Sequence, residues 1–229
     1  MDNVFIAIDG IDGCGKTTQV AMLKTFMDEI GLPTVTVYDP GTTPMGLSLR
    51  KILLDKDIPL NATAQALLFT ASRAALAAEV WDLMRTHSVI ADRWVTSTLA
   101  YQGSMLGVGI DRVLAAHNTF VHTDPAVIIV LDVPYEVAGA RLDTDEAKKD
   151  RFESKSPGWH KGLAEVFRGL SRSLNRRLPV RRINADHNPD IVHREIVMTL
   201  IAHCPPFATA VADRYMEQRA VEANNKSIS

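Results

Sequence analysis

Short apolar runs alternate with longer stretches of helical periodicity along this chain of 229 residues. The first run, residues 4–8, contains only apolar side chains, which is typical of a parallel strand buried on both faces. Apolar or β-branched runs of similar length predict further strands at residues 34–38, 88–91, 126–131 and 180–183. Apolar positions at helical spacing predict helices at residues 18–27, 47–54, 61–87, 97–105, 111–122, 135–142, 160–174 and 190–202.

Strands that alternate with helices predict an α/β fold with three layers, in which a five-stranded parallel sheet lies between two layers of helices. Sheets of this kind bind ligands at the carboxyl ends of their strands. Gly10, Asp39, Asp92 and Asp132 each follow a predicted strand. We therefore expect these four residues at one edge of the sheet.

The stretch after the first strand has the pattern G-x-x-x-x-G-K-[ST] and runs directly into a helical pattern. A strand, a glycine loop and a helix in this order cradle phosphate, because backbone N–H groups and the helix N-terminus point at the anion. Lys16 would reach the β- and γ-phosphates, and the Thr17 hydroxyl would bind Mg²⁺. The pattern predicts a P-loop NTPase fold whose ATP site comprises Gly10, Ile11, Asp12, Gly13, Cys14, Gly15, Lys16, Thr17 and Thr18.

The length of the chain suits a single domain with a core of its own. We place this P-loop domain at residues 1–204. Residues 143–157 are the most charged stretch and carry almost no apolar side chain, so they predict a short mobile lid. Residues 205–229 end in a polar segment and predict a partly disordered tail.

Composition narrows the choice of partners and of compartment. A net charge of -2 argues against nucleic acid as a partner. Cys14 and Cys204 offer no disulfide framework, which favours a reducing compartment such as the cytoplasm. The first strand starts so early that we expect no signal peptide. No apolar run approaches the roughly 18 residues that a membrane-spanning helix needs, so we expect no membrane partner.

Three polar residues near the predicted sheet edge suit a phosphate site. Asp92 follows a strand, at a point where a second acid would complete the Mg²⁺ shell. Arg93 would aim its guanidinium at an anion near the same edge, and Arg50 would add a second fork from the helix that follows residues 39–41. The competing interpretation is a surface ion pair for Arg93 and a helix-surface residue for Arg50.

Phe69 and Arg73 are four residues apart on the longest predicted helix, so they share one face. A flat aromatic ring beside a fork of hydrogen-bond donors suits a nucleobase. The competing interpretation is that Phe69, in a helix rich in Ala and Leu, belongs to the core.

Four stretches of the chain together resemble the thymidylate kinase (dTMP kinase) family, and the match covers residues 5–201. An Asp-Arg-aromatic triplet followed closely by Ser-x-x-Ala-Tyr-Gln is specific to that family among P-loop kinases. The resemblance implies transfer of the ATP γ-phosphate to dTMP, giving dTDP, with Mg²⁺ as cofactor. The four stretches are residues 8–19, Leu68-Phe69-Thr70-Ala71-Ser72-Arg73, Asp92-Arg93-Trp94 with Ser97-Thr98-Leu99-Ala100-Tyr101-Gln102-Gly103, and Leu131-Asp132-Val133-Pro134.

The resemblance also implies roles for individual side chains. Thymine would stack on Phe69 and accept a hydrogen bond from Arg73. The acceptor phosphate would be held by Arg50 and Arg93, with Lys16 on the transferred group. The remaining implied roles are Asp12 near the 3′-hydroxyl, Tyr101 at the deoxyribose, Thr98 and Gln102 along the base, and Asp9 and Asp92 around Mg²⁺.

The loop after the second strand departs from the family pattern. Many bacterial members have Arg-Glu-Pro-Gly-Gly-Thr, where this chain has Tyr38-Asp39-Pro40-Gly41-Thr42-Thr43. Asp39 stands in place of the glutamate and would keep its role in the substrate site with a shorter side chain. Tyr38 stands in place of the arginine, so the positive charge at that position is lost.

The variable positions of the glycine loop contain no arginine, and family members of that kind draw the catalytic arginine from the lid. We prefer Arg151 for this role, and the candidates are Arg141, Lys148, Lys149 and Arg151.

Two other functions and one partner follow from these patterns. The altered loop at residues 38–43 would also suit a kinase of another deoxynucleoside monophosphate, such as a modified pyrimidine. A P-loop switch that hydrolyses nucleotide is a third hypothesis, but it leaves the paired arginines and Phe69 unexplained.

Members of the resembled family pair through helices, and the apolar circumference of residues 61–86 predicts a homodimer.

Overall fold

The structure of the chain, a computed structural model, describes residues 3–142, 150–174 and 177–228. Within these ranges five strands, β1 to β5, form one sheet: Phe5–Asp9, Thr34–Tyr38, Ser88–Asp92, Val127–Asp132 and Val180–Asn184. They lie in the order β2-β3-β1-β4-β5, and every neighbouring pair is parallel. The predicted strands and the five-stranded parallel sheet are confirmed.

Helices cover both faces of this sheet. In chain order, α1 to α4 are Lys16–Glu29, Pro44–Leu54, Ala62–Leu83 and Val95–Thr98; a π-helix follows at Leu99–Met105. Helices α5 to α9 are Ile110–Phe120, Tyr135–Gly139, Pro157–Ser173, Pro189–His203 and Pro205–Ile228. Helices α1 and α8 pack on one face, while α3, the π-helix and α7 belong to the other face. This is the three-layer arrangement that the sequence predicts.

The strand register brings the predicted site residues to one edge. Strand β1 is buried along its whole length, and its Ile8 pairs with Asp92 of β3. The backbone N–H of Asp39 donates to the carbonyl of Asp92 at 3.1 Å, and that of Arg93 donates to the carbonyl of Ile8 at 2.9 Å. The glycine loop after β1 and the segments after β2 and β3 therefore meet.

Two helices differ most from their predicted form. The side chain of Asn61 caps the start of α3 by accepting from the Ala64 N–H at 2.8 Å, and α3 ends at Leu83 rather than at residue 87. The helix expected at residues 97–105 begins at Val95 and changes into a π-helix at Leu99. Such wide turns are rare and occur frequently at functional sites.

The predicted boundary at residue 204 does not divide a packed part of the chain from an unpacked one. Pro205–Ile228 forms helix α9, which packs against α8. Phe207 and Ala210 on its first turns are buried. Burial of these two side chains explains why a segment with a polar end is helical, since packing of an apolar face supplies most helix stability.

The predicted lid is only partly within the described residues, because residues 143–149 lie outside them. Phe152, in the described part, is buried and packs against Phe69 and Tyr101 at ring-centroid distances of 6.1 and 5.3 Å.

Among the described residues no single helix has the length and apolar composition to cross a membrane. Helix α8 and the first part of α9 reach that length and composition only when they are counted together, and the chain bends by 110° between them.

Candidate functional site

The glycine loop depends on backbone shapes that only glycine adopts easily. Gly13 and Gly15 have φ angles of 76° and 100°. A Cβ atom on Gly13 would lie 2.2 Å from the backbone oxygen of Ala138, so a side chain there would displace α6. A turn of this kind lets backbone N–H groups converge on an anion, although those of Gly10 and Cys14 already donate to Asp9 Oδ1 at 2.9 Å and to the Ile11 carbonyl at 3.3 Å.

Lys16 lies inside this loop and is buried. Its Nζ donates to the carbonyls of Gly10 and Ile11 at 3.2 and 2.9 Å. Asp12 is the nearest carboxylate, at 3.9 Å. The positive charge is thus held by weak neutral acceptors at the mouth of the loop, where a phosphate would compete well for it.

Two adjoining cavities open at the sheet edge. One, which we call the loop cavity, is lined by Asp12, Gly13, Gly15, Lys16, Thr17, Thr18, Tyr38, Asp39, Arg50, Asp92, Arg93, Arg141, Leu142 and Glu153. The other, which we call the aromatic cavity, is lined by Asp12, Asp39, Pro40, Arg50, Leu54, Phe69, Arg73, Arg93, Ser97, Thr98, Tyr101, Gln102, Asp150, Phe152 and Glu153. The residues common to both cavities are Asp12, Asp39, Arg50, Arg93 and Glu153.

Arg93 stands where the two cavities meet. Its backbone has a φ of 74°, a strained conformation for a residue with a side chain, and such strain concentrates at functional sites. The guanidinium donates to the Gly10 carbonyl and to Ser97 Oγ, each at 3.0 Å, and it forms an ion pair with Asp12. These contacts aim the planar cation at the shared wall.

Asp12 links Arg93 to Tyr101. The Tyr101 hydroxyl donates to Asp12 Oδ2 at 3.1 Å. Burial works to raise the pKa of Asp12, but the charges of Arg93 and Lys16 and the bond from Tyr101 outweigh it and lower that pKa to about 2. Burial and the Asp12 charge raise the pKa of Tyr101. At neutral pH the pair is a carboxylate and a neutral phenol.

Arg73 and Asp39 form a buried ion pair under the aromatic cavity. Arg73 Nη2 lies 2.6 Å from Asp39 Oδ2, and both side chains are almost fully buried. The same nitrogen donates to Thr98 Oγ1 at 2.8 Å and to the Trp94 carbonyl at 3.3 Å. In the described part of the chain, Arg73 Nε and Nη1 have no hydrogen-bond partner. A cation with unused donors beside a cavity suits a ligand oxygen.

Arg50 and Phe69 complete the walls of the aromatic cavity. Arg50 Nη1 donates to the Pro40 carbonyl at 3.0 Å, and its side chain lines both cavities. Phe69 is half-buried and faces the aromatic cavity together with Phe152. Phe69 therefore contributes both to the core and to the cavity, so the two interpretations of its role are compatible.

Asp9 does not have the surroundings of a metal ligand. Its carboxylate is fully buried and accepts five hydrogen bonds, from the backbone N–H groups of Gly10, Trp94 and Ser97 and from the hydroxyls of Thr96 and Ser97. A carboxylate offers about four lone-pair positions, so no position is left for a cation. In this structure Asp9 braces the turn after β3, and its carboxylate lacks the free oxygen that the expected ligand role requires.

Thr17 and Asp92 do fit a Mg²⁺ site. Both line the loop cavity, and Asp92 Oδ1 is buried with no hydrogen-bond partner in the described residues. A hydroxyl and a free carboxylate oxygen are ligands that Mg²⁺ accepts, with water and phosphate completing its shell. Within the described ranges, no group of three or more His, Cys, Asp or Glu side chains could hold a metal ion without such help.

Arg151 is not positioned for catalysis. Its Nε donates to the Leu53 carbonyl at 2.9 Å, and its Nη2 donates to the carbonyls of Asp55 and Ile58. It therefore caps the end of α2 and does not line either cavity. The structure therefore does not place Arg151 at the phosphate site, and its neighbours in sequence do not reveal which carbonyls its side chain reaches.

Arg141 is the lid candidate that the structure places at the site. It lines the loop cavity and donates to the Gly13 carbonyl at 3.3 Å. The other two candidates, Lys148 and Lys149, lie outside the described residues.

Sequence reasoning missed three residues of the site. Ser97 bridges Arg93 and Asp9, Phe152 faces Phe69, and Glu153 lines both cavities. Ser97 was only part of the family motif. The other two lie within the charged stretch at residues 143–157, whose composition does not indicate that the chain turns back onto the sheet edge.

A parallel sheet, a glycine loop with a buried lysine, and a second cavity with converging arginines define a P-loop phosphotransferase of the nucleoside monophosphate kinase class. The profile of a family described as "Thymidylate kinase" matches residues 8–196. The chain belongs to the thymidylate kinase family.

Curated relatives named thymidylate kinase support this assignment. The one from Halothermothrix orenii is 32% identical over 201 residues, covering 86% of this chain and 95% of the relative. The one from Fervidobacterium nodosum is 32% identical over 203 residues, covering 87% and 100%. The one from Neisseria meningitidis serogroup B is 33% identical over 202 residues, covering 87% and 97%. The resemblance stated from the motifs is confirmed.

Proposed function

We propose that this protein transfers the γ-phosphate of ATP to dTMP and releases dTDP and ADP. The observation that carries the proposal is the shared wall of the two cavities. A phosphate donor bound in the loop cavity and a nucleotide acceptor bound in the aromatic cavity would meet at Arg50 and Arg93. Two planar cations at that point match the oxygens of a phosphate dianion.

The aromatic cavity suits a pyrimidine. Phe69 offers a ring on which a base can stack, and Arg73 offers donors to an exocyclic carbonyl. Thr98 already accepts from Arg73, so its part is to hold the guanidinium as well as to line the base. Gln102 is the remaining polar group on this wall.

The sugar of the acceptor would lie against Tyr101 and Asp12. The hydroxyl of Tyr101 is bound to Asp12 and its ring packs on Phe152 at 5.3 Å, so the ring has little freedom to move aside. A 2′-hydroxyl would need space at this ring, which favours a deoxyribose. Asp12 lines the cavity and would face the 3′-hydroxyl, while its Oδ1 is paired with Arg93 and its Oδ2 accepts from Tyr101.

The reaction needs alignment and positive charge more than proton transfer. The attacking oxygen belongs to a phosphate that is already ionised, so no general base is required. Lys16, Arg93 and Arg141 are the cations that would surround the transferred group. Thr17 and Asp92 would hold Mg²⁺, which when bound neutralises charge on the ATP phosphates.

A homodimer forms part of the proposal. Leu67 and Trp81 on α3 and Phe120 at the end of α5 are 56%, 63% and 59% exposed. Trp81 and Phe120 border one groove between these helices. Large exposed apolar side chains that share a surface are typical of an interface, and a second copy of the chain is the commonest partner for one. Light scattering at working concentration measures the molar mass of the particle in solution. The mass of a monomer would contradict the proposed homodimer.

The activity is tested by coupling ADP release to NADH oxidation with each nucleoside monophosphate as acceptor. We expect turnover of dTMP with ATP and Mg²⁺, weaker turnover of dUMP, and background rates with dCMP and purine monophosphates. A reaction without an acceptor measures simple hydrolysis. Absence of turnover with both dTMP and dUMP, or hydrolysis that no acceptor accelerates, would refute the proposal.

A further inference from the structure

A chain of hydrogen bonds runs from a backbone carbonyl to the wall of the aromatic cavity. Gln65 Nε2 donates to the Leu60 carbonyl at 3.1 Å. Gln102 Nε2 in turn donates to Gln65 Oε1 at 3.4 Å. Gln65 lies on the first turn of α3, Gln102 lies in the π-helix, and both side chains are buried.

The first member of this chain sets the direction of all the others. A backbone carbonyl can only accept, so the Gln65 amide must turn its NH₂ toward Leu60. Its oxygen then points at Gln102, which must answer with its own NH₂. Reversing either amide would place two acceptors or two donors face to face in a buried place, at the cost of an unsatisfied polar group.

This direction leaves the Gln102 amide oxygen for a ligand. Gln102 lines the aromatic cavity, and its Oε1 takes part in no hydrogen bond within the described ranges. Arg73, on the same wall, can only donate. The cavity therefore presents a donor from Arg73 and an acceptor from Gln102.

We infer that Gln65 is a positioning residue for base selection: through the Gln102 amide it makes the cavity complementary to a carbonyl beside a ring N–H. Thymine and uracil carry that pair at O4 and N3–H. Cytosine carries the opposite pair, an amino group beside an unprotonated ring nitrogen, and would meet Gln102 acceptor to acceptor. The inference rests on the proposed function, and it adds a residue that itself lines neither cavity.

Binding of dTMP and dCMP to the full chain, measured by calorimetry, tests the inference. For each variant we compare the ratio of the dissociation constants for dCMP and dTMP. Arg73 is the same in every variant, so its contribution to this ratio does not change from one variant to the next. In Gln65→Met the amide of Gln102 is free to rotate, and we expect the preference for dTMP to fall by about tenfold. In Gln65→Glu a carboxylate still accepts from Gln102 Nε2, so the preference should stay within about twofold of the wild type.

Two outcomes would overturn the inference. The first is that Gln65→Met keeps the wild-type preference. The second is that Gln65→Glu loses as much of the preference as Gln65→Met, which would mean that an acceptor at position 65 does not set the direction of the Gln102 amide. Thermal unfolding checks that each variant is folded, and Gln65→Leu replaces Gln65→Met if that variant is not. Binding does not require phosphate transfer. A wild type that binds dTMP without releasing ADP would refute the proposed function while the ratio still decides the inference.

Discussion

Replacing Asp39 by alanine should destabilise the protein far more than an exposed ion pair would lead one to expect. Asp39 and Arg73 lie 2.6 Å apart, with side chains 0% and 1% exposed. The substitution leaves a buried guanidinium without its counter-charge, and breaking such a pair typically costs about 3–5 kcal/mol. For a chain of this length, each kcal/mol lowers the melting temperature by roughly 2–4 °C, so we expect a fall of roughly 6–20 °C.

The matched control is Lys24→Ala on α1. Lys24 and Asp28 are also 2.6 Å apart, but both side chains are 41% exposed. Exposed pairs contribute about 0.2–1 kcal/mol because water screens them. Urea denaturation followed by circular dichroism measures both variants, and an unchanged dependence on urea concentration would show that the two transitions are comparable.

The same variant should also bind dTMP less well, because Arg73 loses the contact that holds it beside the aromatic cavity. Calorimetry on the folded variant measures this effect separately from stability. If Asp39→Ala costs no more stability than Lys24→Ala and leaves dTMP affinity unchanged, the ion pair neither supports the fold nor positions the guanidinium, and the reasoning is wrong.

Three further predictions concern Lys16, the arginines Arg141 and Arg151, and Asp12. Lys16→Ala should lower turnover by about 100-fold or more with an unchanged circular dichroism spectrum, since Lys16 acts on the transferred phosphate; turnover near the wild-type rate would contradict this. Arg141→Ala should lower kcat on the order of tenfold at unchanged melting temperature. Arg151→Ala should keep kcat but lose about 1–3 kcal/mol of stability, because Arg151 caps α2. The opposite pattern in kinetics and melting would favour Arg151 as the catalytic arginine. The pKa of Asp12 is about 2 in the folded chain, below its ordinary value of 3.8. The ionised carboxylate therefore stabilises the protein above pH 4, and this contribution is lost as the pH falls from about 4 toward 2. Asp12→Asn should accordingly be roughly 2 kcal/mol less stable than the wild type at pH 7. Urea titrations should show that this difference in the free energy of unfolding shrinks below pH 4. A difference that stayed constant with pH would mean that Arg93 does not lower the pKa of Asp12.

The fold was predictable because its signals are local. A run of apolar residues such as 4–8 predicts a buried strand wherever it occurs, and the glycine loop dictates its own backbone shape. The alternation of strands and helices then leaves few topologies open. Gly10, Asp39 and Asp92 could be assigned to one edge for this reason, and the structure places them there.

The direction in which a long side chain points is not a local property. Arg151 and Arg141 are ten positions apart in charged surroundings, yet one turns toward the end of α2 and the other toward the glycine loop. Asp9 is expected to be a metal ligand, but residues 94–97 fold over it and donate four of the five hydrogen bonds that its carboxylate accepts. These outcomes depend on groups that lie more than 80 positions away along the chain.

Hydrophobic spacing and the glycine loop thus determine the layers, the strand order within a small set, and the edge at which chemistry takes place. Which carboxylate stays free for a cation, which arginine faces phosphate, and which way the Gln102 amide points are decided only by the packed structure. The physical reason is that a buried polar group must find its partners among whatever the fold brings near, and those partners are set by contacts between distant segments.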